Sequence, residues 1–191
     1  ADSSDLGNDV SGNGNDWTLN GIAAANWTYD RPADSATDTG NYATWNPLHV
    51  NQYMDGVTNT YTNGNRTYTG GDTGGGGNPT STIAMTIDGT ISWWTEVTLD
   101  NSTGTLTIGL SFDPSGTGAG INPFRAYMNN GQTYTESGSV AYGDSYTTGD
   151  IIGIYYNHSN DSLFFYKNGV IQNSGTAAFT SLSSVGSQAF V

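Results

Sequence analysis

The sequence predicts an all-β protein, a two-sheet antiparallel β-sandwich with an irregular N-terminal arm, and three observations lead to this prediction. Apolar and polar residues alternate over short segments from residue 81 onward, which is the period of a half-buried strand. No segment holds three turns of helical periodicity. The chain contains 27 glycines, yet aromatic residues make up 12% of it, a combination typical of short strands joined by polar loops and not of disorder.

The start of the 191-residue chain, residues 1–40, shows almost no sustained apolar periodicity and consists largely of Asp, Asn, Ser and Gly. We therefore interpret residues 1–40 as an Asn/Asp/Gly-rich arm or linker, pinned to the rest of the chain by Trp17 and Trp27. Residues 41–191 form the predicted sandwich. A second glycine-rich stretch, at 70–80, is expected to be a flexible segment.

Alternation predicts four strands in the middle of the chain. In the second of them, the odd-numbered residues from Ile91 to Leu99 share one face, and Trp94 and Glu96 lie on the other. A segment rich in Gly, Ser and Pro, at 113–122, predicts a long loop. The four strands are expected at 83–87, 91–99, 106–112 and 124–128, with turns at 88–89 and 129–131.

The C-terminal third carries the clearest strand signals. Strands are predicted at 151–156, 163–167 and 170–172, with a turn at 157–161 between the first two. The dipeptide Asn168-Gly169 joins the last two strands and is the kind of two-residue connection that requires a positive φ at both positions. These three segments therefore predict consecutive antiparallel strands.

Charge excludes several classes of partner. The chain has 4 Lys and Arg against 17 Asp and Glu, and its formal net charge is −13. So few cations cannot neutralise phosphates, which argues against nucleic acid and against an anionic membrane surface. The absence of Cys excludes disulfides, and with only 2 His it excludes an ordinary zinc site.

Three motifs in the C-terminal part of the chain carry a family resemblance. A Gly-Asp-Ile-Ile-Gly strand occupies 149–153, and a Leu-Phe-Phe-Tyr-Lys-Asn-Gly hairpin follows at 163–169. Upstream, an aromatic strand ending in Glu-Val lies at 89–97. In this order the motifs resemble those of the SPRY domain, whose two-sheet sandwich is related to the concanavalin-like jelly roll. Animal SPRY modules bind peptides through loops at one end, but the loops differ here and no ligand residue is carried over.

Two N-terminal segments refine the resemblance. Residues 41–48 and 9–18 are similar to segments that precede SPRY-like modules in tail-fibre and other structural proteins of marine bacteriophages. The resemblance implies a non-enzymatic virion surface component, extracellular and homo-oligomeric or bound to other virion proteins, that also binds a host-surface glycan or protein. The alternative is a secreted bacterial carbohydrate-binding or adhesion module. SPRY modules usually end with a further strand, so we expect the sandwich to lack its last strand and the chain to be part of a longer protein.

Two groups of acidic or nucleophilic residues resemble parts of catalytic sites. Ser145 follows Gly143-Asp144, as in some serine hydrolases, but neither His49 nor His158 sits in a matching context. Glu96 and Asp100 share a strand face by spacing, as glycosidase carboxylates do, but the third acid of that motif is missing. We interpret Glu96 as a buried, hydrogen-bonded residue and predict that the protein is not an enzyme.

The remaining candidates are binding residues. Oxygen-bearing side chains on a glycine-containing loop at 9–16 suit Ca²⁺, although their spacing is not that of an EF-hand. Arg125 can stack on an aromatic ring or pair with an acid, and a structural ion pair is the favoured reading. The candidate calcium ligands are Asp9, Asn13, Asn15 and Asp16, and the candidate partner-binding residues are Arg125, Tyr127, Trp45, Asp113 and Asn122.

Overall fold

The computed structural model describes eight segments of the chain. They are residues 6–9, 11–21, 23, 43–48, 59–70, 79–87, 91–112 and 123–191. The chain divides into two compact units, Ala1–Thr82 and Ile83–Val191. The boundary predicted after residue 40 lies outside the described residues and stays a prediction. Within the described residues, no helix is long and apolar enough to cross a membrane.

The described part of the first unit contains one hairpin, formed by β1 (Thr60–Thr62) and β2 (Thr67–Thr69). The rings of Tyr61 and Tyr68, opposite each other in this hairpin, lie 5.4 Å apart. Trp17 is 81% exposed within the described residues, and the expectation that its ring pins the arm stays a prediction. Trp27, the other proposed anchor, lies outside the described residues.

The second unit holds two antiparallel sheets, and the first of them has five strands. Its order is β11-β10-β9-β4, with β12 also paired to β10. Alternate residues of β4 and β9 point to opposite sides, as the burial of β4 shows, and one side of the sheet is covered. The strands are β4 (Trp93–Thr98), β9 (Ile151–Asn157), β10 (Ser162–Lys167), β11 (Val170–Ile171) and β12 (Phe179–Thr180).

The second sheet has six strands in the order β3-β13-β5-β6-β7-β8. Its C-terminal strand, β13, lies between β3 and β5, so the end of the chain is an internal part of this sheet. Whether a further strand completes the sandwich stays a prediction. The strands are β3 (Ala84–Thr86), β5 (Thr107–Ser111), β6 (Phe124–Met128), β7 (Gln132–Thr135), β8 (Gly138–Ala141) and β13 (Gln188–Phe190).

A single apolar cluster connects the inner faces of the two sheets. Tyr127 of β6 stacks on Phe165 of β10 with ring centroids 5.3 Å apart, and both side chains are fully buried. Such burial is the main favourable term in folding. The predicted fold class is therefore confirmed as an antiparallel sandwich. The largest fully buried side chains are Tyr127, Tyr156, Phe165, Ile87, Leu110, Ile152, Ile154, Leu163 and Leu182.

The predicted strands of the sandwich are present, and the hairpin at Asn168-Gly169 has the expected backbone. Its two residues have φ angles of 50° and 78°. Strands β7, β8, β12 and β13 were not predicted, since they are short and show no sustained alternation of apolar and polar residues. The predicted turn at 88–89 lies outside the described residues.

Candidate functional site

The outer side of the five-stranded sheet carries a cluster of aromatic side chains. The strand register places Trp94 of β4 opposite Tyr155 of β9, and Tyr155 opposite Phe164 of β10. In the next row, Tyr166 of β10 lies opposite Gly153 of β9. Residues at alternate positions share a side of the sheet, so all four rings lie on the side away from the core. We call Trp94, Tyr155, Phe164 and Tyr166 the aromatic face.

The rings of the aromatic face contact one another at steep angles. Trp94 and Tyr166 meet edge to face, with centroids 4.8 Å apart and planes at 76°. Trp94 and Tyr155 lie 6.3 Å apart at 48°. Trp94 is 47% exposed, and the other three rings are partly exposed. The face is therefore an uneven aromatic surface accessible to solvent.

A glycine makes room for the tryptophan. A Cβ on Gly153 would lie only 2.6 Å from Cη2 of Trp94 and 2.8 Å from its Cζ2. No real side chain fits at that distance, so the Trp94 ring lies down over the Gly153 backbone. The second glycine of the Gly-Asp-Ile-Ile-Gly motif is thus required by the packing of the aromatic face.

One carboxylate accompanies the aromatic face. Glu96 lies opposite Gly153 on β4, two residues from Trp94, and its side chain is exposed. Among the described residues no hydrogen bond or ion pair involves this carboxylate. The expectation that Glu96 is buried and hydrogen-bonded is therefore wrong, because the even-numbered positions of β4 face solvent.

The described basic side chains are engaged elsewhere. Arg66 donates to the carbonyl and side-chain oxygens of Asn63. Lys167 donates to the Ser145 carbonyl at 2.8 Å and lies 3.4 Å from the Asp150 carboxylate. Arg125 lies on β6 of the six-stranded sheet and is paired with Glu136, as described below. The remaining cation, at position 31, lies outside the described residues.

Arg125 forms the predicted structural ion pair. Its Nη1 lies 3.0 Å from Oε2 of Glu136 and donates to the Phe124 carbonyl at 2.7 Å. Its guanidinium carbon lies 5.8 Å from the ring centre of Phe179. Hydrogen bonds from its own backbone and from Arg125 outweigh burial, so the pKa of Glu136 is below its usual range. Arg125 thus joins β6 to β12 of the opposite sheet and is engaged in these internal contacts.

The structure places Tyr127 in the core, which corrects its proposed role at a binding surface. Its side chain is 0% exposed, and its hydroxyl donates to the Asp144 carbonyl and contacts Oε1 of Gln172 at 3.3 Å. Burial and the nearby Asp144 carboxylate raise the pKa of Tyr127. In β6 the odd-numbered residues face the opposite sheet, and Tyr127 is one of them.

The other candidate partner-binding residues are not assembled into one site. Trp45 belongs to the first unit, where it forms a β-bridge with Ser81 and its ring lies 6.3 Å from that of Tyr68. Asp113 and Asn122 lie outside the described residues. Of the five candidates, the structure brings Arg125 and Tyr127 onto one strand, β6, where both make internal contacts.

The candidate calcium loop is held by its own hydrogen bonds. Asp9 accepts from the Ser11 hydroxyl at 2.7 Å and from the backbone N–H groups of Ser11 and Asn15. These bonds, led by the Ser11 hydroxyl, lower the pKa of Asp9. Asp16 accepts from the Asp9 N–H, and Asn13 donates to Ser11. The described residues contain no group of three or more His, Cys, Asp or Glu able to hold a metal, and calcium stays a prediction.

The catalytic candidates lack the necessary geometry. Asp100 and Glu96 are both exposed, and no third acid joins them among the described residues. Ser145 lies in the turn before β9, where its carbonyl accepts from Lys167. A Ser–His contact does occur, with Ser92 Oγ 3.1 Å from Nδ1 of His158. That hydroxyl also accepts the His158 backbone N–H, so the contact fastens the start of β4 to the turn after β9.

A polar groove of about 440 Å³ lies at another place in the second unit. Its two sides are residues 142–144 and 170–174. Gln172, which is buried there, accepts the Asp144 N–H at 2.8 Å and donates to the Val170 carbonyl at 3.0 Å. The side chain of Gln172 is therefore engaged within the groove, whereas the aromatic face presents partly exposed rings to solvent.

The aromatic face was not proposed from the sequence, although its signal was present. The alternation of β4 placed Trp94 and Glu96 on the side opposite the core residues. The same alternation in β9 and β10 puts Tyr155, Phe164 and Tyr166 on the outer side. Aromatic residues at solvent-facing positions of three neighbouring strands are informative, because a large exposed apolar patch marks an interaction surface.

Fold and face together define a class of protein, an antiparallel β-sandwich with an exposed aromatic surface on its five-stranded sheet. The sequence pattern of the SPRY domain matches residues 92–188, which is half of the chain. The chain therefore belongs to the SPRY domain family, whose members are protein-interaction modules. A solved structure similar to the chain is the SPRY domain of human HERC1, at 20% identity and a TM-score of 0.44 over 59% of this chain and 69% of that one. Comparison with curated proteins gave no match.

Proposed function

We propose that the chain is a non-enzymatic surface component of a virion, a tail-fibre, appendage or capsid-associated protein. In this proposal the SPRY sandwich is a structural building block that also binds a partner, either another virion protein or a host-surface molecule. Its location is the virion surface, outside the cell. The proposal extends the protein-interaction role of the SPRY family to a particular setting.

The aromatic face is the observation that carries the binding role. Trp94 is half-exposed and is surrounded by three partly exposed rings. The contact of these rings with water is unfavourable, and Trp94 is not needed to fill the core. Interfaces are enriched in aromatic residues, and Trp and Tyr dominate their energetic centres. A binding role explains why these side chains lie on the outer side of the sheet.

The virion setting is supported by the sequence. Segments 9–18 and 41–48 are similar to those that precede SPRY-like modules in marine bacteriophage structural proteins. The surface is polar with few charges, since only 11% of residues are charged. The fold and the aromatic face of the chain also suit the alternative, a secreted bacterial carbohydrate-binding module.

The mass of the chain in solution tests the proposal. Light scattering on a size-exclusion column, with and without calcium, should give a trimer or larger symmetric oligomer, as building blocks of virion appendages form. The Asp9→Asn variant, run beside the wild type, reports whether any calcium effect acts through the predicted loop. A stable monomer under both conditions would contradict the building-block role.

A glycan array distinguishes the virion component from the alternative, a secreted carbohydrate-binding module. The wild type and the Trp94→Ala variant are applied to the same array, with Trp17→Ala as the control because Trp17 is an exposed tryptophan of the first unit. Binding by a monomer that is lost only in Trp94→Ala would replace the virion proposal with the carbohydrate-binding module. An oligomer without glycan binding supports the virion component.

A further inference from the structure

We propose that the aromatic face, together with Glu96, binds a basic segment of a partner protein whose Arg or Lys side chains lie over the rings. The inference rests on the proposed binding function and names the chemistry of the partner. Three properties of the face lead to it: the exposed rings, the carboxylate beside them and the charge of the whole chain.

The rings provide the attractive surface for a cation. A guanidinium or ammonium group over the face of Trp or Tyr is attracted by the negative charge of the ring face, and Trp is the strongest of these acceptors. Trp94 is 47% exposed while its ring lies over Gly153, so part of the indole is available to a partner. Tyr155 and Tyr166 flank it on two neighbouring strands.

Glu96 makes the face selective for cations. It is the charged residue at the outward positions of β4, β9 and β10, which are otherwise occupied by aromatic, polar and small residues and by Ile151. Because it lies two residues from Trp94 on one strand, about 7 Å along the chain, one basic side chain can reach both. No described basic residue meets it, since Arg66, Arg125 and Lys167 have acceptors of their own.

The charge of the chain acts in the same direction. A net charge of −13 repels acidic partners and attracts basic ones, and it accelerates their association at low salt. Electrostatic complementarity therefore favours a basic protein segment over an acidic one or a phosphate-bearing polymer.

Ring geometry argues against a sugar chain as the occupant. A linear glycan stacks best on aromatic rings that lie in one plane. The rings here are inclined at 48° and 76° to the central Trp94. Such an arrangement forms an uneven surface that suits individual side chains of a protein segment.

A pair of matched peptides tests the proposal on the full chain. The first is acetyl-Gly-Arg-Gly-Arg-Gly-amide, whose alternate arginines project from one side when the peptide is extended. The second carries citrulline in place of both arginines, which keeps the shape of the side chain, removes the charge and replaces one NH2 donor group by a carbonyl oxygen. Binding is measured by calorimetry at low ionic strength, with neutral maltohexaose as a third probe.

The wild type should bind the arginine peptide at least about tenfold more tightly than the citrulline peptide. Trp94→Ala should lower the affinity for the arginine peptide by about tenfold. Glu96→Gln should lower it by about threefold and leave the citrulline peptide unaffected, since it removes one exposed charge pair. Circular dichroism and thermal melting of each variant verify that the fold is retained.

A matched control removes the same charge elsewhere. Asp144→Asn changes an exposed acid on the loop before β9, away from the aromatic face, and should leave the affinity within the error of the wild type. An equal loss in Asp144→Asn and Glu96→Gln would show attraction to the net charge alone and overturn the proposal.

Two other outcomes overturn it while preserving the proposed function. Trp94-dependent binding of maltohexaose without binding of the arginine peptide would make the face a glycan site. Equal affinity for the two peptides would show an aromatic interface without charge selectivity. Failure of the proposed function itself is recognised separately, because it is read from the mass of the chain in solution.

Discussion

The side-chain amide of Asn168 donates a hydrogen bond of 2.7 Å to the carboxylate of Asp150, and this bond joins two of the three SPRY motifs. Asp150 comes from the Gly-Asp-Ile-Ile-Gly strand, and Asn168 is the first residue of the hairpin turn. The carbonyl oxygen of the same amide accepts the Ile151 N–H at 2.9 Å. Asn168, whose φ is positive, therefore serves two purposes. It forms the turn after β10, and its side-chain amide contacts the start of the neighbouring strand β9.

Replacement of Asp150 by Asn is expected to destabilise the sandwich by about 2 kcal/mol at neutral pH, because hydrogen bonds to a charged group are among the stronger ones. Asp150 accepts the Thr147 N–H and the Asn168 amide and lies beside Lys167. Urea unfolding of wild type and Asp150→Asn measures the difference. Asp100→Asn, at an exposed position after β4, is the matched control and should stay within about 0.5 kcal/mol.

The pH dependence of this effect follows from the direction of the pKa shift. The Thr147 N–H, the Asn168 amide and Lys167 hold the pKa of Asp150 below its ordinary value of 3.8. A carboxylate whose pKa is lowered on folding adds stability above its unfolded pKa and loses it as the pH falls through the folded pKa. The gap between wild type and Asp150→Asn should therefore be full above about pH 5 and shrink below about pH 4. A gap that is unchanged in acid would contradict the ionic role.

Much of the sandwich could be predicted because burial on one side imposes alternation. In β4 and β10 most inner positions are apolar, and the turn at Asn168-Gly169 has a sequence that tolerates positive φ. Strand β8, Gly138–Ala141, could not be predicted, since all four residues are exposed and pairing with β7 alone defines it.

The binding surface was harder to predict than the fold. Tyr127 lies in the strand predicted at 124–128, but the short sequence of that strand did not show which of its sides faces the core. Trp94 was placed on the correct side. Its significance depends on the register that brings Tyr155 and Tyr166 beside it, and register between distant strands cannot be read from one sequence.

Replacement of Gly153 by Ala is expected to destabilise the wild type by about 2 kcal/mol, as overpacking does. The new methyl group would lie 2.6 Å from Cη2 of Trp94 and 3.2 Å from Cβ of Tyr166. In a Trp94→Ala background the main clash is gone, so the same change should cost less than half as much. Chemical unfolding of the four members of this double-mutant cycle gives the coupling. Additive effects would show that the Trp94 ring does not lie over Gly153.

Alkaline pH should unfold the sandwich through its buried tyrosines. Burial raises the pKa of Tyr127, Tyr142 and Tyr146, with neighbouring charged groups adding to the rise for Tyr127. A tyrosine whose pKa is raised on folding keeps its contribution to stability below its unfolded pKa, about 10, and loses it as the pH rises toward the folded pKa. Absorbance at alkaline pH should show these groups ionising only together with unfolding.

The Tyr127→Phe variant isolates one of these groups. It keeps the stacked ring and removes the hydroxyl that bonds to Asp144 and Gln172, so it should cost about 1.5 kcal/mol at neutral pH. The free energy of unfolding of this variant should decline less between about pH 9 and pH 12 than that of the wild type, because tyrosines ionise in that range. Tyr134→Phe, at a position that is 39% exposed, is the control and should follow the wild type.

Arg125 should contribute to stability through three contacts, the ion pair with Glu136, the stacking on Phe179 and the hydrogen bond to the Phe124 carbonyl. Both partners of the ion pair are partly buried, with side chains 17% and 26% exposed, so the pair is worth more than one at the open surface. Glu136→Gln weakens the pair and should cost about 0.5 kcal/mol at neutral pH. Arg125→Ala also removes the contact with Phe179 and should cost about 2 kcal/mol.

Unfolding at acidic pH separates the ion pair of Arg125 from its other contacts. The pKa of Glu136 is lowered in the folded chain, so the charge of this residue stabilises the fold above its unfolded pKa and ceases to do so as the pH falls through the folded value. Urea unfolding near pH 3 should therefore bring Glu136→Gln level with the wild type, while Arg125→Ala keeps the deficit due to its other contacts. A Phe179→Leu background should reduce that residual deficit, because Phe179 supplies the ring beneath the guanidinium, and leave the part due to the hydrogen bond with the Phe124 carbonyl. An Arg125→Ala deficit that disappears in acid would assign the whole effect to the ion pair.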